Sequence, residues 1–357
     1  LPGPRRREGG VMRVGVIAPA WLPVPPPSYG GTEAVVDGLC RGLAGLGHDV
    51  LLVGHPHSTC PVERCSVVPA GDSVPMGRAR IELEHALGAY GLTADCDVVS
   101  DHTVGGPVCA ALYPGRAVVA TNHNPFNRSN EAIFGAAAAH ADVVAISRSH
   151  AATTTVPIAA VIHHGIDVET FPTGDGSGRY AAMLTRMAPD KGVHHAVRIA
   201  REAGMPLRIA AKMREDREHA YFDEFVRPHL GGGIEYVGEV DAAGKRALLA
   251  GAVALLNPIQ WDEPFGMAMI EAMACGTPVV GTARGAAPEL VVDGVTGFLR
   301  ASDADLAAAL AEVHQLDRAA CRRRVAEEFS IRRMAANYVR AYEARIERVA
   351  GREEVTA

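Results

Sequence analysis

From Met12 onward, short runs of apolar, mostly β-branched residues alternate with longer stretches whose apolar positions recur every three or four residues. The runs are MRVGVIA (12–18), DVLLVG (49–54), DVVS (97–100), AVVAT (117–121), DVVAI (142–146) and AAVIHHG (159–165). A strand that is apolar on both sides must be covered on both sides. Such strands separated by helices predict a parallel sheet between two helical layers. The segment PTGDGSG (172–178) is rich in Gly, Pro and polar residues and predicts a linker. After it the alternation restarts with YAAML (180–184), LRIAA (207–211), IEYVG (234–238), AVALLN (252–257) and PVVG (278–281). Helices are expected from Thr32 as a capping residue, from about Asp190, near 216–229, from Asp241, and throughout the region after about Asp303. The expected fold is α/β: two tandem doubly wound Rossmann-like domains facing a central cleft. Residues 12–170 form the N-terminal domain and 178–330 the C-terminal one. Residues 1–11, before Met12, read as a leader or a misread start outside the fold.

Composition narrows the functional classes. The 35 basic and 41 acidic residues leave a net charge of −6, which favours no nucleic-acid partner. The seven cysteines are scattered and include no C-x-x-C pair, so neither a disulfide framework nor a zinc site is indicated. Reduced thiols in the cytoplasm fit best. No apolar run is long enough to span a bilayer.

Open α/β sheets bind ligands beyond the carboxyl ends of their strands, so the chemistry belongs in the loops there. The stretch NPIQWDEPFGMAMIEAMACGTPVV (257–280) carries two acids in apolar surroundings. Pro264 suits a first helical position, which would place Phe265, Gly266 and Met267 in a first turn with unpaired amides, an anion site. Glu263 precedes that turn and Glu271 follows about two turns along. Acids beside a phosphate repel it, so their natural ligands are hydroxyls. The alternative is that Glu263 caps the helix and Glu271 pairs with a neighbouring cation. TRMAPDKG (185–192) offers Arg186 and Lys191 to a pyrophosphate, or else two surface cations. SYGGTE (28–33) offers Gly30 and Gly31 at a helix start, or a flexible turn. TNHNPF (121–126) places His123 just after a strand.

The block EPFGMAMIEAMACGTPVVGTARGAAPELVVDGVTGFL resembles the signature of the retaining GT-B glycosyltransferases of family 4, and GGTEAVVDGLCRGLAGLGHDVLLVG, HHGIDVETF and TRMAPDKG match that family in order. The likeness covers Met12 to about Ala350. It implies that Glu271 holds ribose hydroxyls, that Glu263 binds the donor sugar, and that the amides of Phe265, Gly266 and Met267 contact sugar or phosphate. It implies that Arg186 and Lys191 neutralise the diphosphate with help from Gly30 and Gly31, and that His123 lies near the sugar. Val237 and Gly238 fall where the base is held, and a final helix, 331–352, returns to the N-terminal domain. The implied donor is a nucleotide diphosphate sugar, UDP favoured. The few cations in TEAVVDGLCRGLAGLGHD and RSNEAIFGAAAAHADV favour a soluble small-molecule or oligosaccharide acceptor, and likeness to an antibiotic-pathway member of the family points to antibiotic biosynthesis. No cofactor and no metal are implied.

The strings DCD (95–97) and DAD (303–305) imitate metal motifs of other glycosyltransferase folds, but one leads into a strand and the other caps a helix. The histidine pairs 163–164 and 194–195 read as structural, because adjacent side chains diverge. Trp21 and Tyr29, in the proline-rich loop after the first strand, are the candidate acceptor contacts. A Rossmann dehydrogenase is disfavoured because no G-x-G-x-x-G follows the first strand. A sugar-nucleotide epimerase and a non-catalytic sugar-nucleotide binder stand as alternatives.

Overall fold

The computed structural model describes residues 10–27, 30–68 and 77–356. The chain divides into two compact units, one running to Gly165 and resuming at Ile331, the other spanning Ile166–Ser330. In the first unit β1 (Arg13–Ile17), α1 (Gly31–Gly45), β2 (Asp49–Val53), β3 (Glu63–Cys65), α2 (Ala79–Leu92) and β4 (Val98–Asp101) are followed by β5 (Val118–Thr121), α3 (Arg128–Ala137), β6 (Asp142–Ala145), α4 (Arg148–Ala152) and β7 (Ile158–Val161). The strands form one parallel sheet in the order β3-β2-β1-β4-β5-β6-β7.

The second unit contains β8 (Ala181–Arg186), α5 (Val193–Glu202), β9 (Leu207–Lys212), α6 (Asp216–Phe225), β10 (Ile234–Gly238), α7 (Ala242–Gly251) and β11 (Ala254–Asn257). It continues with α8 (Met267–Ala274), β12 (Val279–Thr282), α9 (Ala287–Leu290), β13 (Gly297–Arg300), α10 (Asp303–Glu312) and α11 (Arg318–Glu328). Its parallel sheet is ordered β10-β9-β8-β11-β12-β13. Strand order reverses between β1 and β4 in one sheet and between β8 and β11 in the other. Each reversal opens a crevice beyond the carboxyl ends of those strands.

The apolar runs became strands because both of their faces are covered: Val14, Val16 and Ile17 are wholly buried, as are Ala181, Ala182 and Val279. Local signals set several helix starts. Asn127, Asp241 and Ser302 cap α3, α7 and α10 with their side chains, and Glu215 and Glu218 form a reciprocal capping box at α6.

Other expectations are corrected. Thr32 does not cap α1; the helix begins at Gly31 with Gly30 as a cap lacking any side-chain bond. The stretch from Asp190 is first a 3₁₀ turn, Pro189–Lys191, and α5 starts only at Val193. Segment 172–178 lies within the second unit. Arg318 reaches into it, donating to the carbonyls of Gly174, Ala252 and Ala250 at 2.9, 3.1 and 3.3 Å and to Thr277 Oγ1 at 2.7 Å. A partly buried guanidinium that ties a glycine-rich stretch to its own domain limits the freedom its composition suggests.

The last helix, α12 (Ile331–Thr356), belongs to the first unit and lies along α1. The fit is close: a Cβ added at Gly42 would stand 2.8 Å from both Ala335 Cβ and the Ile331 carbonyl oxygen. Tyr338 and Tyr342, both wholly buried, share hydrogen bonds with Thr121 Oγ1 at 2.9 Å and Ser100 Oγ at 2.7 Å, and Arg345 reaches Asp142 at 3.4 Å.

Candidate active site

In the second unit the groups expected to bind a donor gather around the β8–β11 reversal. β8 ends in Arg186, and the 3₁₀ turn after it carries Lys191. β11 ends in Asn257, and the loop beyond it carries Trp261 and Glu263. Lys191 donates to Glu263 Oε2, the same oxygen that accepts from Trp261 Nε1 at 3.0 Å, and the lysine Nζ lies 4.5 Å from the indole centroid. The two paired side chains are 14% and 21% exposed, so the pair is shielded but within a ligand's reach.

Two glycines hold this geometry. Gly192 has φ +71°, and a Cβ there would sit 2.0 Å from the Pro258 carbonyl oxygen. Gly285 has φ +54° and approaches the Glu263 backbone so closely that a Cβ would lie 2.4 Å from both its N and its O. The neighbouring Ala286 N–H donates to the Glu263 carbonyl at 3.0 Å. The loop after β12 therefore fixes the backbone of the acid.

Glu271, buried on α8, accepts from Lys245 on α7. Arg186 lies 3.7 Å from Asp190 and 3.6 Å from Glu218. Burial alone would raise the Glu218 pKa, but the backbone amides of Arg214 and Glu215 and the nearby cations outweigh it and hold the carboxyl below its ordinary value. Arg186 and Lys191 are thus not open cations but already face carboxylates. Glu271 pairs with a neighbouring cation, one of the two roles its sequence context left open.

The helix start also differs from expectation. Pro264 and Phe265 precede α8, and Gly266 is its cap in the left-handed region at φ +97°. Of the three amides expected in a first turn, only that of Met267 lies there. Phe265 is instead a core residue, 3% exposed and packed edge-on against Phe329 with ring centroids 6.2 Å apart. Anchoring the aromatic ring and reversing the backbone at Gly266 separates the Glu263 loop from the helix. Val237 and Gly238 close β10, where a register shift precedes Gly238 at φ +84°.

The first unit presents His102, His123 and His164 beyond β4, β5 and β7. His102 Nδ1 is 2.9 Å from His123 Nε2, and the His123 and His164 rings stack with centroids 5.1 Å apart. At α1, the space beside Gly30 is filled by Pro26 and by the chain's own Glu33, whose carboxyl is buried and shifted upward by desolvation. Nothing comes within 4 Å of a Cβ at Gly31. Trp21 is partly buried; Tyr29 lies outside the described residues.

The metal-like strings have structural partners. Asp95 and Asp97 hold Arg13, through its Nε at 3.1 Å and its backbone amide at 2.7 Å. Asp303 pairs with His195 and Arg198, each at 2.8 Å.

A model described as "Glycosyl transferases group 1" matches residues 178–315, and one described as "Glycosyltransferase Family 4" matches residues 29–170. The chain belongs to the family 4, group 1 glycosyltransferases. It is 29% identical over 341 residues to the phosphatidyl-myo-inositol mannosyltransferase of Mycolicibacterium smegmatis, covering 84% of each chain. It resembles the structure of AviGT4, a glycosyltransferase involved in avilamycin A biosynthesis, at 29% identity and a TM-score of 0.73, covering 94% of this chain and 98% of that one. Anabaena Alr3699/HepE, solved in complex with UDP-glucose, shares the GT-B fold at 18% identity and a TM-score of 0.72, with 93% and 100% coverage.

In this glycosyltransferase, sequence reasoning did not single out Lys245, Trp261, His102 or Gly285, and it read His164 as structural. His102 follows β4 as His123 follows β5, so the strand-end rule that selects one selects the other. Trp261 stands two residues before Glu263. Lys245 and Gly285 carry no local signal, because their roles come from packing between elements distant in sequence.

The buried histidines make stability depend on pH. Burial lowers the pKa of His102 and of His164 to about 3, from an ordinary 6.5. Their folded pKa values lie below those of the unfolded chain, so the unfolded state binds more protons between pH 3 and 6.5. Stability is full above about pH 6.5 and is lost as the pH falls. At pH 5 these two rings together are expected to remove roughly 4 kcal/mol. Urea denaturation at pH 7.5 and pH 5 checks this; equal unfolding free energies would refute it.

Proposed function

We propose that this glycosyltransferase moves a sugar from a nucleotide diphosphate sugar, UDP favoured, to a soluble small-molecule or oligosaccharide acceptor, with retention of configuration. The observation that carries the reading is the pair of lysine–carboxylate contacts, Lys191–Glu263 and Lys245–Glu271, in the second unit. An ammonium and a carboxylate that neutralise each other are stable without ligand. A diphosphate draws the ammonium, and sugar hydroxyls then take the place of its N–H donors on the carboxylate.

In the proposed reaction the bond from anomeric carbon to diphosphate breaks as the acceptor oxygen bonds to the same face of that carbon. The acceptor's proton passes to the departing phosphate oxygen. Arg186 and Lys191 stabilise the charge that develops on the diphosphate, the largest electrostatic task in the step. Glu263 orients the donor sugar and forms no covalent bond to it. Cationic side chains meet the charge of the leaving group, so the proposal needs no metal.

A soluble acceptor, of the kind used in antibiotic biosynthesis, is supported by likeness to AviGT4 and by the scarcity of cations on α1 and α3. Their sole basic residues are Arg41, which pairs with Asp37, and Arg128. Among the described residues no helix is long and apolar enough to cross a membrane. The seven free cysteines accord with a cytoplasmic setting. The test is a nucleotide and nucleotide-sugar panel read by thermal unfolding, because a ligand that binds the folded state raises its melting temperature. UDP and UDP-glucose are expected to raise it; no shift with any nucleotide would sink the reading, and sugar isomerisation with donor alone would redirect it to an epimerase.

A further inference from the structure

A line of hydrogen bonds in the first unit runs from the last helix to His123. Tyr342 on α12 donates its hydroxyl to Ser100 Oγ at 2.7 Å. Ser100 Oγ stands 3.0 Å from His102 Nε2, and His102 Nδ1 stands 2.9 Å from His123 Nε2. Tyr342, Ser100 and His102 are all buried.

One self-consistent direction runs through these bonds, starting from the tyrosine hydroxyl as donor. Ser100 accepts from Tyr342, and in this assignment it gives its own proton to His102 Nε2. A neutral imidazole carries one N–H and one lone pair. With its lone pair at Nε2, His102 holds its proton on Nδ1 and donates it to His123 Nε2. The same rule places the His123 proton on Nδ1. Burial holds both imidazoles neutral by pushing their pKa values down, and at His123 the neighbouring rings add to it. His123 Nδ1 is shielded from water and has no partner among the described residues.

We propose that Tyr342, Ser100 and His102 are positioning residues that fix His123 as an Nδ1–H donor, whose partner during transfer is an acceptor oxygen of the donor sugar. The identity of that oxygen rests on the glycosyl-transfer reading; the direction of the proton line does not. With its Nε2 lone pair already engaged by His102, His123 is a hydrogen-bond donor and not a base toward the acceptor hydroxyl.

Long-range proton–nitrogen correlation spectra of the full chain carrying ¹⁵N-histidine test the proton line, with His123→Gln and His102→Asn assigning the signals. At pH 7.5 both rings are expected to carry their proton on Nδ1. Ser100→Ala, which removes the donor to His102, is expected to give a mixture of tautomers at His123, and Ser100→Thr, which keeps a hydroxyl, to restore one form. Ser100→Ala is also expected to bind UDP like the unsubstituted chain while losing about tenfold in affinity for UDP-glucose. A His123 proton on Nε2 in the unsubstituted protein overturns the proposal, and so do unchanged tautomers and UDP-glucose affinity in Ser100→Ala. Should Ser100→Ala not fold, the unsubstituted spectrum and Tyr342→Phe still decide. If neither UDP nor UDP-glucose binds while the Nδ1–H assignment holds, the glycosyl-transfer reading falls and the proton line stands.

Discussion

Lys191→Ala is expected to slow sugar transfer by about 10²- to 10³-fold, the scale seen when one group that stabilises developing negative charge is removed. The lysine is the cation nearest Glu263, and no other basic side chain bonds that carboxylate among the described contacts. The variant should fold, because Glu263 keeps its bond from Trp261 Nε1 and the lysine lies in a partly open turn. Single-turnover rates with saturating donor, beside a melting curve for each protein, separate chemistry from folding. A rate within threefold of the unsubstituted enzyme would remove Lys191 from the site.

The second large effect is on binding. If, as proposed, Glu271 holds ribose hydroxyls, Glu271→Ala is expected to weaken UDP about 100-fold, because charge-assisted hydrogen bonds contribute roughly 1.5–3 kcal/mol each. Glu271 is 7% exposed and its Lys245 partner is on α7, so truncation also strands a half-buried ammonium. Glu271→Gln, which keeps size and one acceptor, should lose less. Calorimetric titration with UDP reads both variants. Equal affinity in Glu271→Ala would show that the nucleotide does not lie along α8.

Much of this architecture was legible beforehand, because strands buried on both faces must be apolar throughout. The run DVLLVG became β2 and LRIAA became β9 with boundaries shifted by one residue or so. Glu263, Arg186 and Lys191 could be picked out because they stand at or just beyond the carboxyl ends of strands, the position where side chains of α/β sheets meet ligands. Two kinds of feature escaped. One was backbone detail: Pro264 suggested a helix start, but the left-handed Gly266 and the buried Phe265 delayed it to Met267. The other was pairing across distance. No local pattern tells that Lys245 meets Glu271, that Arg318 ties down Gly174, or that a histidine dismissed as one of a diverging pair stacks on His123.

The separation of the first unit's residues in sequence also orders its birth on the ribosome. Residues 166–330 form an uninterrupted unit that can close as soon as they have emerged, whereas the first unit waits for Tyr338, Tyr342 and Arg345. Until translation reaches them, the nascent β4, β5 and β6 lack the partners for Ser100, Thr121 and Asp142. The earlier-made half is therefore the later to mature, and it is the half that a holding chaperone would have to guard.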